Sequence, residues 1–503
     1  MRYTEWTKSQ STEAMPLPGV PDDLYELTLS EASWLIRSRR LSSRQLVETC
    51  LQRISENPQL NAFISVDAQR ALENADDYDR YIANGGVPLP LGGVPIAVKD
   101  SIQVVGFANS AGTPALADFM PRHNATVVES LLAAGAIILG KTNMHELAFG
   151  ASGYNTAFHV SEVVGIRNAY DPSRIAGGSS SGSGSAVGAR LVPAALGTDT
   201  GGSVRQPAAL NGCVGFRPTV GRYSAEGVVP ISPTRDTPGP IARSVEDVIL
   251  IDSLITNASP QPVPRPGSIR LGALKEFWQD LSDTVQVVAQ EALAKLQAEG
   301  IEVVWVSLPE VFVLNSDVSM PIALHECRVA LTDYLQANHT GVSFSELVDG
   351  ISSPDVRDIF EQFVVPGQLG EREGKPVHLQ QAYTRAMEQG RPLLIDRLGA
   401  LFAEHGFQAL IHPTTPDLAI KSEPQATLLE AFARMIRNAD PASNAGMPGI
   451  SLPAGLSQQE GLPVGIELQG LPGSDSQLLA IASLVESILG RAQSPLLTMK
   501  KGS

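Results

Sequence analysis

Residues 177–185 read GGSSSGSGS and residues 197–207 read GTDTGGSVRQP, two runs with the composition from which hydrolytic sites are built. Glycine lets backbone approach closely and adopt positive φ, and serine supplies a hydroxyl that serves as nucleophile or proton relay. In the second run Thr200, Gly201, Gly202 and Ser203 set consecutive backbone N–H groups around one serine, as an oxyanion hole requires. The competing reading of those four residues is a tight turn with a solvated serine. Lys99 is the candidate base, because it closes the small and apolar stretch GVPIAVK (93–99). A lysine in such surroundings either snorkels to water or sits desolvated. Desolvation lowers its pKa until the neutral amine can take a proton from a hydroxyl.

Other chemistries are formally matched and fail on context. GAIILGKT (135–142) fits the phosphate-loop pattern letter for letter, but Ala-Ile-Ile-Leu wants to be the strand itself and no helix follows directly. Residues 178–182 fit the G-x-S-x-G nucleophile elbow, yet a polar, proline-bearing loop precedes them where a strand is needed. The downstream histidines, among them His325, His339, His378, His405 and His412, sit in no context that marks a catalytic base. There is no H-E-x-x-H and no Cys or His pair at ligand spacing, so the expectation is no metal. A flexible Gly/Ser linker is the remaining reading of residues 177–185. It is opposed by the apolar AVGARLVPAAL that follows and by the second Gly/Ser run beyond it.

These residues need elements to hold them. Helical spacing of apolar residues predicts two helices between Ser30 and Ser55, with Ser42 or Ser43 capping the second, and another from Ala68 to Ala83. Asn124 is the expected N-cap of a helix ending near Leu132. Short apolar runs at 91–100, 136–139, 301–308, 408–413, 449–453 and 464–469 read as strands, with helices at 284–298, 320–336, 378–403, 427–437 and 474–489 between or after them. Strands separated by helices, several of them continuously apolar, predict an α/β fold: a large mixed, mostly parallel twisted sheet covered by helices on both faces. The expected organisation is a single domain over 1–503, with a helical N-terminal arm (1–60) and a helix-rich cap or insertion (about 310–405).

The 503 residues carry 37 Lys+Arg against 53 Asp+Glu, a net charge of −16, which opposes nucleic acid as a partner because phosphate needs a basic footprint. Cys50, Cys213 and Cys327 are odd in number and widely spaced, which points to a reducing compartment. The N-terminus has no apolar run and no stretch approaches about 18 apolar residues, so the expectations are cytoplasmic location and no membrane partner. Oligomeric state is open, a homodimer among the options.

Together GVPIAVKD, GKTNMHELAFG, GGSSSGS and GTDTGGSVRQPAALNGCVGFRPT strongly resemble, in order and spacing, the amidase signature family. Ser181, where many members have glycine, departs from the pattern outside the catalytic positions. The resemblance implies a Ser-Ser-Lys triad: Lys99 as the base, Ser179 as a bridging serine on a cis peptide, and Ser203 as the nucleophile. Residues 228–248, 320–335, 343–356 and 438–456 further resemble the arylacetamide branch, the indoleacetamide and mandelamide hydrolases. The implied activity is hydrolysis of a small primary carboxamide to acid and ammonia without a cofactor. An arylacetamide needs an apolar pocket beside Ser203; Phe149, Tyr154 and Ile450 are the candidates to line it, with core packing the competing role for each. Two alternatives use the same triad: an amidotransferase A-type subunit that releases ammonia for a partner, and a hydrolase of carbamates, anilides or esters.

Overall fold

The apolar runs assemble into one eleven-stranded sheet. The computed structural model describes residues 20–372 and 375–495. The strands of the large sheet are β1 (Phe63–Val66), β2 (Pro95–Lys99), β3 (Ile137–Thr142), β4 (Ala194–Asp199), β5 (Val214–Arg217), β6 (Thr237–Ala242), β7 (Arg270–Leu274) and β8 (Glu302–Val306), together with three later ones. A separate hairpin of β9 (Gln368–Arg372) and β10 (Lys375–His378) intervenes before β11 (Ala409–Pro413), β12 (Gly449–Leu456) and β13 (Pro463–Gln469). The spatial order is β1-β3-β2-β4-β6-β5-β12-β13-β11-β7-β8, and helices flank it, among them Val245–Thr256, Asp283–Ala298 and Asp475–Leu489.

The sheet is mixed, but it is not mostly parallel. Among the described residues the steps β3–β2–β4 and β11–β7–β8 are parallel, and the other steps are antiparallel. Continuously apolar strands report burial on both faces, and that burial is what misleads: β5, β6 and β13, which pair only antiparallel, are buried along their whole length.

Thr28 and Ser42 each close a capping box, with Glu31 and Gln45 respectively, and start the helices Leu29–Arg37 and Ser43–Glu56. These helices do not stand apart as an arm. Their apolar stripes carry Leu29, Leu35, Leu46 and Val47 into the main core, because only that placement removes the stripe from water. The part of the expected arm before residue 20 lies outside the described residues. Asn124 is not a cap: the helix Thr126–Ala133 starts after Ala125, while Asn124 Oδ1 accepts from Val105 N at 2.7 Å.

The helix-rich segment divides. The long helix Val311–Ala337 packs with Phe344–Asp349 and Pro354–Ile359 into a second core around Phe360, which also takes in Phe149. Its last helix, Arg391–His405, instead buries Leu394 and Leu398 in the main core. Glu146 fastens this segment to the sheet side, accepting from Ser352 N at 3.0 Å and Ser353 N at 2.6 Å. No helix among the described residues is long and apolar enough to cross a membrane. All three cysteines are buried and free.

The parallel pairing of β2 with β4 matters most. Ala97 lies opposite Ala195 and Val98 opposite Leu196, so the carboxyl ends of both strands, Lys99 and Asp199, reach the same end of the sheet. Sites in open α/β sheets form at such ends.

Candidate active site

The first Gly/Ser run is neither linker nor elbow. From Ser181 it is a helix, Ser181–Gly188, buried in every residue. Glycine is required here for close approach: a Cβ on Gly182 would meet Ala62 O at 2.2 Å and Asn143 O at 2.5 Å. The serines pay no desolvation penalty, since Ser183 Oγ donates to Leu196 O at 3.0 Å and Ser185 Oγ to Arg167 O at 2.7 Å. Ser180, the middle residue of the apparent elbow, is fully buried and spends its hydroxyl on the backbone of Thr198. The apparent phosphate loop is β3 itself, and its Lys141 is buried against Asp100 (3.2 Å) and Asn109 (2.9 Å).

Ser179 precedes that helix, and its peptide bond to Gly178 is cis. Lys99 Nζ donates to Ser179 Oγ at 2.8 Å and to Thr198 Oγ1 at 2.7 Å. Lys99 is 0 % exposed, so it does not snorkel. Burial lowers its ammonium to about 7, against the pull of the Asp199 and Asp236 carboxylates, which favours the charged form.

The second Gly/Ser run is shaped by Asp199. Its carboxylate accepts from Gly202 N (2.8 Å), Val204 N (3.1 Å), Nε and Nη2 of Arg205 (3.0 Å each) and Arg217 Nη1 (3.0 Å). Burial alone would raise this carboxyl, but Arg205, Arg217 and the N–H donors hold it below the usual carboxylate range. Arg205 is itself balanced by Glu467 on β13. The loop therefore wraps around a fixed anion, with Gly202 at φ 120°, a region that side chains avoid. Of the four expected oxyanion donors, the Gly202 N–H is committed to Asp199. Those of Thr200, Gly201 and Ser203 donate to nothing among the described residues. Thr200 Oγ1 is anchored on Asp236 at 2.6 Å.

Ser203 is half-buried on the wall of a cavity of about 630 Å³, open mouth included, which Thr200, Gly201 and Phe149 also line. Its hydroxyl has no hydrogen-bond partner among the described residues, while its carbonyl accepts from Ser180 N at 3.1 Å and so ties the two runs together. Lys99 and Ser179 are thus in contact, and Ser203 is tied to the same run through the backbone of Ser180.

The two remaining pocket candidates are corrected. Ile450 is fully buried in β12 between β5 and β13, its side chain part of the main core. Tyr154 packs beside Gly165, away from the cavity. The apolar wall comes instead from Met320, Leu324 and Ile359 of the helix-rich segment and from Phe432 and Ile436 of the helix Leu429–Ile436. Its polar part is an ion pair, Arg235–Asp440, at 2.6 Å. Sequence reasoning missed both groups. A signal for the Asp199–Arg205 pair was present in TDTGGSVR, six residues apart; nothing local pairs residues as distant as 235 and 440. No group of three or more metal-ligating side chains occurs among the described residues.

Comparison with known proteins places the chain in a family. Residues 45–479 match the protein family described as Amidase. The chain is 68 % identical over 484 residues to a mandelamide hydrolase of Pseudomonas putida, covering 96 % of each chain. It is 38 % identical over 472 residues to an indoleacetamide hydrolase of Rhizobium radiobacter, covering 92 % of this chain and 97 % of that one. Among solved structures, the native peptide amidase of Stenotrophomonas maltophilia superposes with a TM-score of 0.78 at 29 % identity, over 97 % of this chain and all of the other.

Proposed function

The chain belongs to the amidase family, and from that membership we propose that this amide hydrolase converts an arylacetamide, mandelamide foremost, to the carboxylic acid and ammonia through an acyl-enzyme on Ser203. The 68 % identity to a mandelamide hydrolase supports the substrate class. The observation that carries the chemistry is the 2.8 Å contact between a fully buried lysine and Ser179, beside a cavity that exposes Ser203.

In the proposed cycle neutral Lys99 accepts the Ser179 proton, Ser179 Oγ accepts the Ser203 proton, and Ser203 Oγ attacks the amide carbon. Ser179 Oγ and Ser203 Oγ come into hydrogen-bond contact as substrate fills the cavity, since catalytic hydrogen bonds commonly form or tighten only with substrate bound. The developing oxyanion is held by the N–H groups of Thr200, Gly201 and Ser203, each donor worth about 3 kcal/mol in such sites. The relayed proton returns to the leaving nitrogen, the C–N bond breaks, and ammonia departs. Water then attacks the acyl-enzyme by the same relay and releases the acid. The aryl ring lies against Phe149, Met320 and Phe432.

An ammonia-release assay over mandelamide, phenylacetamide, indole-3-acetamide and butyramide tests this reading. The arylacetamides turn over at least about tenfold more efficiently than butyramide, the aryl ring being the apolar area the cavity buries. Lys99 acts in its neutral form, so kcat/KM rises with pH, with its acid limb near 7 and a fall of about tenfold per pH unit below it. No ammonia from any arylacetamide, or a flat profile between about pH 5 and 9, contradicts it.

A further inference from the structure

We propose that the Arg235–Asp440 ion pair recognises a hydroxyl on the α-carbon of the substrate, so that this site favours 2-hydroxy arylacetamides over unsubstituted ones. The inference rests on the amide-hydrolase reading above and adds a specificity element to it.

Position comes first. Arg235 and Asp440 line the same cavity as Ser203. A single carbon added to Gly201 would lie 2.9 Å from Asp440 Oδ1 and 3.4 Å from Arg235 Nη2. The ion pair therefore sits one atom's breadth from the backbone proposed to hold the carbonyl oxygen. The α-hydroxyl oxygen is two bonds from the carbonyl carbon, which brings it within hydrogen-bond reach of the pair.

The pair is also rigid and dry. Arg235 and Asp440 are each 2 % exposed. Arg235 Nη1 donates to Ser319 O at 3.0 Å and Nη2 to Thr200 O at 3.2 Å, while Asp440 Oδ2 accepts from Asn315 at 2.8 Å and Asn444 at 3.2 Å. Arg235 Nε is buried with no partner among the described residues. A hydroxyl is donor and acceptor at once: it donates to Asp440 and accepts from Arg235. A plain methylene in its place would lie against both charged groups and return no hydrogen bond, the condition under which a polar site discriminates strongly. The wall around the pair is apolar and suits the ring, which leaves the α-substituent to the ion pair.

The test compares kcat/KM for mandelamide and phenylacetamide in the wild type, Asp440→Asn and Arg235→Lys, with circular dichroism and unfolding midpoints to establish folding. The mandelamide-to-phenylacetamide ratio falls by about tenfold or more in each variant, through selective loss on mandelamide. Product inhibition of the wild type gives the comparison without any substitution: mandelate inhibits at a concentration about tenfold below phenylacetate. If the two substrates lose activity in parallel, or the two products inhibit alike, the pair has only a structural role and the proposal is wrong. A wild type inactive on every arylacetamide overturns the amide-hydrolase reading and this inference with it. An active wild type whose ratio survives both substitutions overturns this inference alone.

Discussion

Replacing Ser203 with alanine lowers ammonia release from an arylacetamide by on the order of 10⁴- to 10⁶-fold and leaves the protein folded. The loss is large because nucleophile and relay act as one unit: without Ser203 Oγ, the proton taken up by Lys99 through Ser179 has no donor at the substrate. What remains is catalysis by the oxyanion donors and by positioning alone. Folding survives because the Ser203 hydroxyl has no partner among the described residues and the side chain is only half-buried. Removing such an oxygen shifts stability by no more than about 0.5 kcal/mol. Initial rates with circular dichroism check both halves, and a Ser203→Ala variant within tenfold of wild type refutes the assignment of the nucleophile.

The second large effect is on stability. Asp199→Asn removes the charge that neutralises Arg205 and Arg217, all three fully buried, and points amide N–H groups at guanidinium N–H groups. Breaking a buried charge network from one side costs about 3–5 kcal/mol. Glu467 still faces Arg205, so the cost centres on Arg217 and on the loop N–H groups of Gly202 and Val204. Activity falls as well, because those two N–H bonds shape the turn on which Ser203 sits. The pH dependence has a definite sign. The folded Asp199 carboxyl lies below its unfolded value of about 3.9, so its contribution is present above that pH and is lost as pH falls through the folded value. The stability difference between variant and wild type therefore stays constant from about pH 5 to 8. Denaturant unfolding at those pH values checks it; a variant within about 0.5 kcal/mol of wild type contradicts the network's role.

Local patterns were readable where local forces decide them. The helix Ala68–Ala83 has the bounds its periodicity predicts, and Ser42 caps the second helix as its hydroxyl and spacing suggest. Lys99, Ser179, Thr200, Gly201 and Ser203 converge at the ends of β2 and β4 because a parallel pairing joins those strands. Two kinds of feature were not readable. Strand direction was one, since burial on both faces makes antiparallel strands as apolar as parallel ones. Contacts made only by the tertiary fold were the other: Ile450 reads as either pocket or core and is core, while Met320, Phe432 and the Arg235–Asp440 pair come from segments with no local mark of a shared cavity. The Gly/Ser run is an instructive case, since linker-like composition conceals a helix packed too tightly for any larger residue at Gly182.

The central claim is that Ser203 carries the acyl group. Rapid acid quench of the enzyme during turnover of mandelamide, followed by proteolysis and mass spectrometry, tests it directly. A mandeloyl increment confined to the peptide bearing Ser203, and absent from Ser203→Ala, is the result the account predicts. The increment on any other residue, or turnover that persists in Ser203→Ala, would contradict it.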